Sequence, residues 1–95
     1  MEIKHVEKSG RGGFIVRGES GERRAAMTYT TAGETGIIID HTEVDDSLRG
    51  QNVGESLLAE AVKYARVKGL KIYATCPFAL AKLKENAEYH DVFGG

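Results

Sequence analysis

The chain has 95 residues, 41% of them hydrophobic and 28% charged, with a formal net charge of −1. That composition describes one soluble globular domain with a single modest core, and it leaves no electrostatic case for nucleic acid or an anionic membrane. Apolar runs of only a few residues exclude a membrane-spanning helix. The one cysteine, Cys76, rules out an internal disulfide and a cysteine-based zinc site; with strand-like sequence from Met1 onward and no leader pattern, it points to a reducing, cytosolic setting.

Ile3-Lys4-His5-Val6 alternates as a strand. Ser9 through Gly13 reads as a flexible turn, and Phe14-Ile15-Val16-Arg17 as a second strand. Glu19-Ser20-Gly21-Glu22 is a hairpin turn signal. The segment from Arg24 to Thr31 follows as a strand rich in β-formers toward its end. Gly33 to Gly36 turns again and leads into Ile37–Val44. Because each connection is short, these four strands are predicted to form an antiparallel meander.

The period then changes. Val53, Leu57, Leu58, Ala61, Val62 and Ala65 recur at helical spacing as one apolar stripe. Arg66 and Lys68 place positive charge near the helix C-terminus, and Gly69 stands where the helix should end. Leu70 to Cys76 reads as a fifth strand stopped by Pro77. A strand, helix and strand in one unit imply a right-handed crossover, so this strand should run parallel to an earlier one. Phe78 to Asn86 is a second, shorter helix. Tyr89, Val92 and Phe93 are expected to staple down the tail, with Gly94 and Gly95 frayed. His5 and His90 read as surface residues.

Between the fourth strand and the first helix lies Leu48-Arg49-Gly50-Gln51-Asn52-Val53-Gly54. A short turn of small and polar residues opening a helix points successive backbone N–H groups outward and adds the positive end of the helix dipole. That is a cradle for phosphate or pyrophosphate. The Lys-Ser/Thr ending of a nucleotide-hydrolysing P-loop is missing, and so is the Gly-x-Gly-x-x-Gly of a dinucleotide fold. Asp40, Asp45 and Asp46 lack the spacing of a calcium loop, so no metal is assigned; Asp45-Asp46-Ser47 reads as the turn before the cradle.

This α+β order of four antiparallel strands, phosphate turn, helix, parallel fifth strand and last helix resembles the GCN5-related N-acetyltransferase family, in a minimal form. The resemblance is carried by His41-Thr42-Glu43-Val44, by the turn Arg49–Gly54, and by Thr75-Cys76-Pro77-Phe78 and Asn86-Ala87-Glu88-Tyr89. The family turn reads Gln/Arg-x-x-Gly-x-Gly/Ala. Arg49 and Gly54 fit it, while Asn52 stands where glycine is usual. Asn tolerates a left-handed backbone better than any residue but glycine, so the turn can survive.

The resemblance implies an acyltransferase that uses acetyl-coenzyme A as co-substrate and an amine as acceptor. Gly50, Gln51, Asn52, Val53, Gly54 and Glu55, with Arg49, would hold its pyrophosphate. The pantetheine arm would lie between Val44, at the end of the fourth strand, and Thr75, Cys76 and Pro77 at the end of the fifth. A backbone N–H near Val44 would meet the thioester oxygen. Period-2 counting puts Ile37, Ile39, His41 and Glu43 on one face, with His41 and Glu43 roughly 6–7 Å apart along the strand. Either is a candidate proton acceptor, imidazole being the better match near neutral pH. The tyrosine that often serves as acid in this family has no counterpart in Leu83-Lys84-Glu85, and Tyr89 reads as a packing residue. Cys76 is therefore the candidate either to protonate the leaving sulfur or to carry the acetyl group itself with His41 as base. Two other readings stand beside this one: a non-catalytic acyl-coenzyme A-binding module, and a plain interaction domain with a structural glycine turn. Only Ser9–Gly13 occupies the place where larger relatives carry pocket-forming helices, so an open, shallow acceptor site is expected.

Overall fold

The alternating segments become five strands, β1 (Lys4–Lys8), β2 (Arg11–Arg17), β3 (Arg23–Ala32), β4 (Gly36–Val44) and β5 (Lys71–Ala74). They form one sheet in chain order. In this computed structural model, which describes residues 1–95, the first four strands are antiparallel and β5 runs parallel to β4. Helix α1 (Val53–Lys68) makes the crossover and α2 (Pro77–Glu85) follows β5. The predicted stripe of α1 is its buried face, with Gly54 added to it. Gly69 ends the helix at φ 70°, its N–H donating to the Ala65 carbonyl, which is the left-handed cap that glycine adopts without steric cost.

Both helices cover the same face of the sheet. Phe14, Met27, Tyr29, Ile37 and Ile39 pack there against Leu57 and Leu58 of α1, with Ala79 and Leu83 bringing α2 into the same cluster. Each large side chain buried this way stabilises the fold by about 1.5–3 kcal/mol. The opposite face carries no helix.

Several boundaries differ from expectation for identifiable reasons. The turn between β1 and β2 is confined to Ser9 and Gly10, at φ 52° and 82°, and β2 starts at Arg11 rather than Phe14. Gly12 and Gly13 are extended strand residues. Gly12 is small because the Tyr29 hydroxyl occupies the space a Cβ would need. β5 stops at Ala74 because the Thr75 and Cys76 amides both turn to the Ile39 carbonyl, at 3.0 and 3.2 Å. Cys76 thus becomes the residue before α2, and Pro77 its first residue. Gly94 is not frayed: its N–H donates to the Ile72 carbonyl at 2.8 Å, and Phe93 makes a parallel bridge to Ile72.

The largest correction concerns β4. Thr28 pairs with His41 but Tyr29 pairs with Ile39, so Asp40 is the extra residue of a β-bulge. Strict alternation fails there. Ile37 and Ile39 face the helices, but beyond the bulge Thr42 and Val44 do so, opposite Met27 and Ala25. His41 and Glu43 share a face as expected, yet it is the open face, beside Thr28 and Ala26. Asp40 is held at the bulge by the Thr28 hydroxyl, which donates to its carboxylate at 2.6 Å.

Candidate functional site

The bulge also separates β4 from β5. Their pairing ends at Ile39 and Ala74, after which β4 runs on to Val44 while the other chain turns into α2. Asp45 donates its N–H to the Arg24 carbonyl, so by antiparallel alternation the amides of Val44 and Thr42 point away from β3, into the widening gap. One side-chain contact spans that gap: the Thr42 hydroxyl lies 3.3 Å from the Cys76 sulfur. Cys76 is 5% exposed and belongs to the core cluster. His41 lies on the other face, so the arrangement in which His41 serves Cys76 directly as base is not the one the fold builds. Thr42 is the sulfur's partner.

Above the gap, the chain prepares the cradle. The Asp45 carboxylate accepts from the Ser47 amide and hydroxyl and from Arg24, holding a single 3₁₀ turn over Asp46–Leu48. Those bonds, the Ser47 hydroxyl foremost, lower the Asp45 pKa. Arg49 pairs with Asp46 at 2.8 Å and stays exposed. Gly50 then takes φ 83° and Asn52 φ 55°, the left-handed conformation expected of an asparagine in a glycine's place. Ser56 is the first residue of the helix whose amide is satisfied, by the Asn52 carbonyl. The N–H groups from Gly50 through Glu55 find no acceptor within the protein.

These residues line a concave site of about 320 Å³, formed by Thr42 and Val44 below, Leu48, Arg49, Gly50 and Asn52 at the rim, and Val53, Gly54, Glu55 and Phe78 along the far wall. Gly54 is fixed by contact: a Cβ there would approach the Phe78 ring to 2.8 Å. Glu55 brings negative charge to the cradle, and Lys82 of α2 offsets it at 3.5 Å. Gln51 is exposed in the loop, and Thr75 and Pro77 flank the throat through backbone position. Sequence reasoning missed Phe78 and Lys82 as neighbours of the cradle; both come from α2 and meet it only through tertiary packing.

On the open face, Glu43 is clamped by Arg23 at 2.7 Å and lies 3.7 Å from the His41 imidazole. The His41 side chain is 64% exposed. His5 is exposed as expected, but its ring is engaged: it stacks on Phe14 at 4.4 Å, meets Tyr64 edge-on and bonds the Tyr29 hydroxyl at 2.5 Å. Partial burial lowers its pKa, and it raises that of Tyr29.

The splayed end of the β4–β5 pair thus lies directly beneath a turn of free amides. Residues 13–92 match the GCN5-related N-acetyl-transferase family, and the chain belongs to that family, whose members use acetyl-coenzyme A. Curated relatives include Protein NATD1 of Xenopus tropicalis, 30% identical over 90% of this chain and 77% of its own length. Human Protein NATD1 is 32% identical over 77% of this chain and 65% of its own length. Among solved structures, the solution structure of a GCN5-like protein from Staphylococcus aureus superposes with a TM-score of 0.77 at 38% identity, covering 99% of this chain and 88% of that one. Tetrahymena GCN5 shares the fold alone, with a TM-score of 0.62 at 10% identity over 82% of this chain and 51% of its own.

Proposed function

We propose that this chain is a minimal acetyltransferase that moves the acetyl group of acetyl-coenzyme A to an amine. The observation that carries this reading is the run of unsatisfied amides from Gly50 through Glu55, set directly above the gap that Thr42 and Val44 share with Cys76. Backbone N–H groups at a helix start suit a diphosphate. The strand-like amides of Thr42 and Val44 suit the pantetheine arm, and the absence of a side chain at Gly54 lets the Phe78 ring pack against the start of α1 as part of the wall of the site.

Acetyl-coenzyme A supplies an activated acyl group and a stable leaving thiolate. The residues supply the rest. His41, exposed at the rim of the bulge, takes the proton that the acceptor ammonium must lose, with Glu43 positioning the imidazole. The Val44 amide donates to the thioester oxygen as negative charge gathers there. As the carbon–nitrogen bond forms and the carbon–sulfur bond breaks, the attacking nitrogen gives up its second proton to solvent and Cys76, whose sulfur lies beside the Thr42 hydroxyl, gives its S–H proton to the departing thiolate. Solvent later restores that proton. A thiol in this role needs reducing surroundings, which favours the cytosol.

Incubation with acetyl-coenzyme A and a panel of primary amines, read by release of free thiol and by product mass, tests the proposal. Thiol release that requires an amine, and that falls at least tenfold in Cys76→Ala, supports it. Saturable binding without transfer to any amine assigns the chain to ligand binding instead. A 42 Da gain on Cys76 that chases to the amine would replace direct transfer with an acyl-cysteine route.

A further inference from the structure

Two cations flank the cradle, and a carboxylate of the chain itself engages each of them. Arg49 pairs with Asp46 at 2.8 Å, with side chains 77% and 88% exposed. That pair stands in water, where solvent screens it most. Lys82 is placed differently. Its side chain is 31% exposed and comes from α2 to within 3.5 Å of the Glu55 carboxylate. The distance makes an ion pair, yet it is too long for a well-formed N–H···O bond, so the ammonium keeps donors to give. The same ammonium stands 5.9 Å from the centre of the Phe78 ring, which walls the site.

Glu55 is an unexpected neighbour for an anion. It follows Gly54 in the first turn of α1 and lines the cradle, where its charge opposes a phosphate. It also lines a second cavity of about 260 Å³ between α1 and α2, together with Leu58, Lys82, Glu85, Asn86 and Tyr89. The two hollows therefore adjoin at Glu55, and Lys82 stands on the α2 side of that boundary. Glu55 is the carboxylate that pairs with Lys82. A phosphate seated on the amides of Gly50–Glu55 can take over the ammonium by a turn of the flexible four-carbon stem, with no backbone movement.

We propose that Lys82 is a phosphate ligand of the co-substrate, and that Glu55 holds its ammonium in reserve until a phosphate displaces the carboxylate. The proposal rests on the acetyl-transfer reading for the identity of the co-substrate. It adds a cation from α2 to a turn whose own cation, Arg49, is paired and turned to solvent. Glu55 competes with the ligand for one ammonium and repels its phosphates, so removing the Glu55 charge should tighten binding.

The test titrates coenzyme A, and dephospho-coenzyme A lacking the 3′-phosphate, into the full chain at low salt. Lys82→Met should weaken coenzyme A roughly fivefold or more, Lys82→Arg should keep the affinity, and Glu55→Gln should tighten it roughly twofold or more. The loss in Lys82→Met should shrink as salt rises. An equal loss for dephospho-coenzyme A puts Lys82 on the diphosphate, and a loss confined to coenzyme A puts it on the 3′-phosphate; both uphold a phosphate ligand. The decisive comparison adds Lys82→Met to Glu55→Gln. A further loss of similar size supports direct contact, whereas no further loss overturns the proposal, because Lys82 then serves only to neutralise Glu55. Unchanged affinity for both ligands in Lys82→Met also overturns it, while leaving the acetyl-transfer reading in place. A wild-type chain that binds neither ligand contradicts that reading itself, and the assignment of Lys82 with it.

Discussion

Asn52→Val is the sharpest perturbation of the cradle, because it changes a backbone preference without removing a known contact. Asn52 sits at φ 55° and ψ 38°, makes no side-chain cap bond, and is exposed. Its side chain therefore contributes little by packing. What matters is that the left-handed conformation costs a residue roughly 1–2 kcal/mol and that Asn is among the few types that visit it routinely; a β-branched residue carries the full penalty or more. If the turn keeps its shape, Asn52→Val lowers stability by about 1–2 kcal/mol, or roughly 4–8 °C in Tm for each kcal/mol in a domain of this size. If the turn relaxes instead, the amides from Gly50 to Glu55 no longer converge, and the same energy must be returned on ligand binding. Coenzyme A affinity then falls about 5- to 30-fold. Calorimetric titration and thermal unfolding together capture both cases, and Asn52→Gly should lose neither property. Wild-type Tm and wild-type affinity in Asn52→Val would refute the reasoning.

Thr42→Val removes the hydroxyl beside the Cys76 sulfur at nearly constant volume; acetyl transfer should slow several-fold in kcat with little change in coenzyme A affinity, as measured by steady-state kinetics and titration. Leu83→Ala hollows out a fully buried position that anchors α2 and should cost about 2–5 kcal/mol in denaturant unfolding. His5 has its folded-state pKa lowered, chiefly by burial, with Lys68 adding to the effect and Glu7 opposing it. The unfolded chain therefore binds a proton first, so stability is full above pH about 6.5 and declines as pH falls below it. In His5→Phe that decline should be reduced across the same pH range in urea unfolding.

Much of the scaffold was legible because its signals are local. The stripe from Val53 to Ala65, the cap at Gly69 and the parallel β5 all follow from periodicity, one glycine and the handedness of crossovers. Asn52 was legible too, as a residue able to stand in for glycine. The bulge at Asp40 was not. Ile37 to Val44 carries no glycine or proline to mark an inserted residue, and the shift arises from pairing with β3. It reassigns Thr42 and Val44 to the gap and His41 and Glu43 to the open face, which no count along one strand could find. Gly12 and Gly13 misled for a related reason: they resemble a turn, but Gly12 is a strand residue making room for Tyr29. The ring cluster around His5 joins residues from β1, β2, β3 and α1, and so is invisible before the sheet is assembled.

Amide spectra of labelled protein titrated with acetyl-coenzyme A test the central claim most directly. Saturable shifts should appear from Gly50 through Glu55, together with Thr42 and Val44, while the amides of β1 and β2 stay unmoved. Saturating ligand that leaves the Gly50–Glu55 amides where they were would contradict the diphosphate cradle and the acetyl-transfer reading built on it.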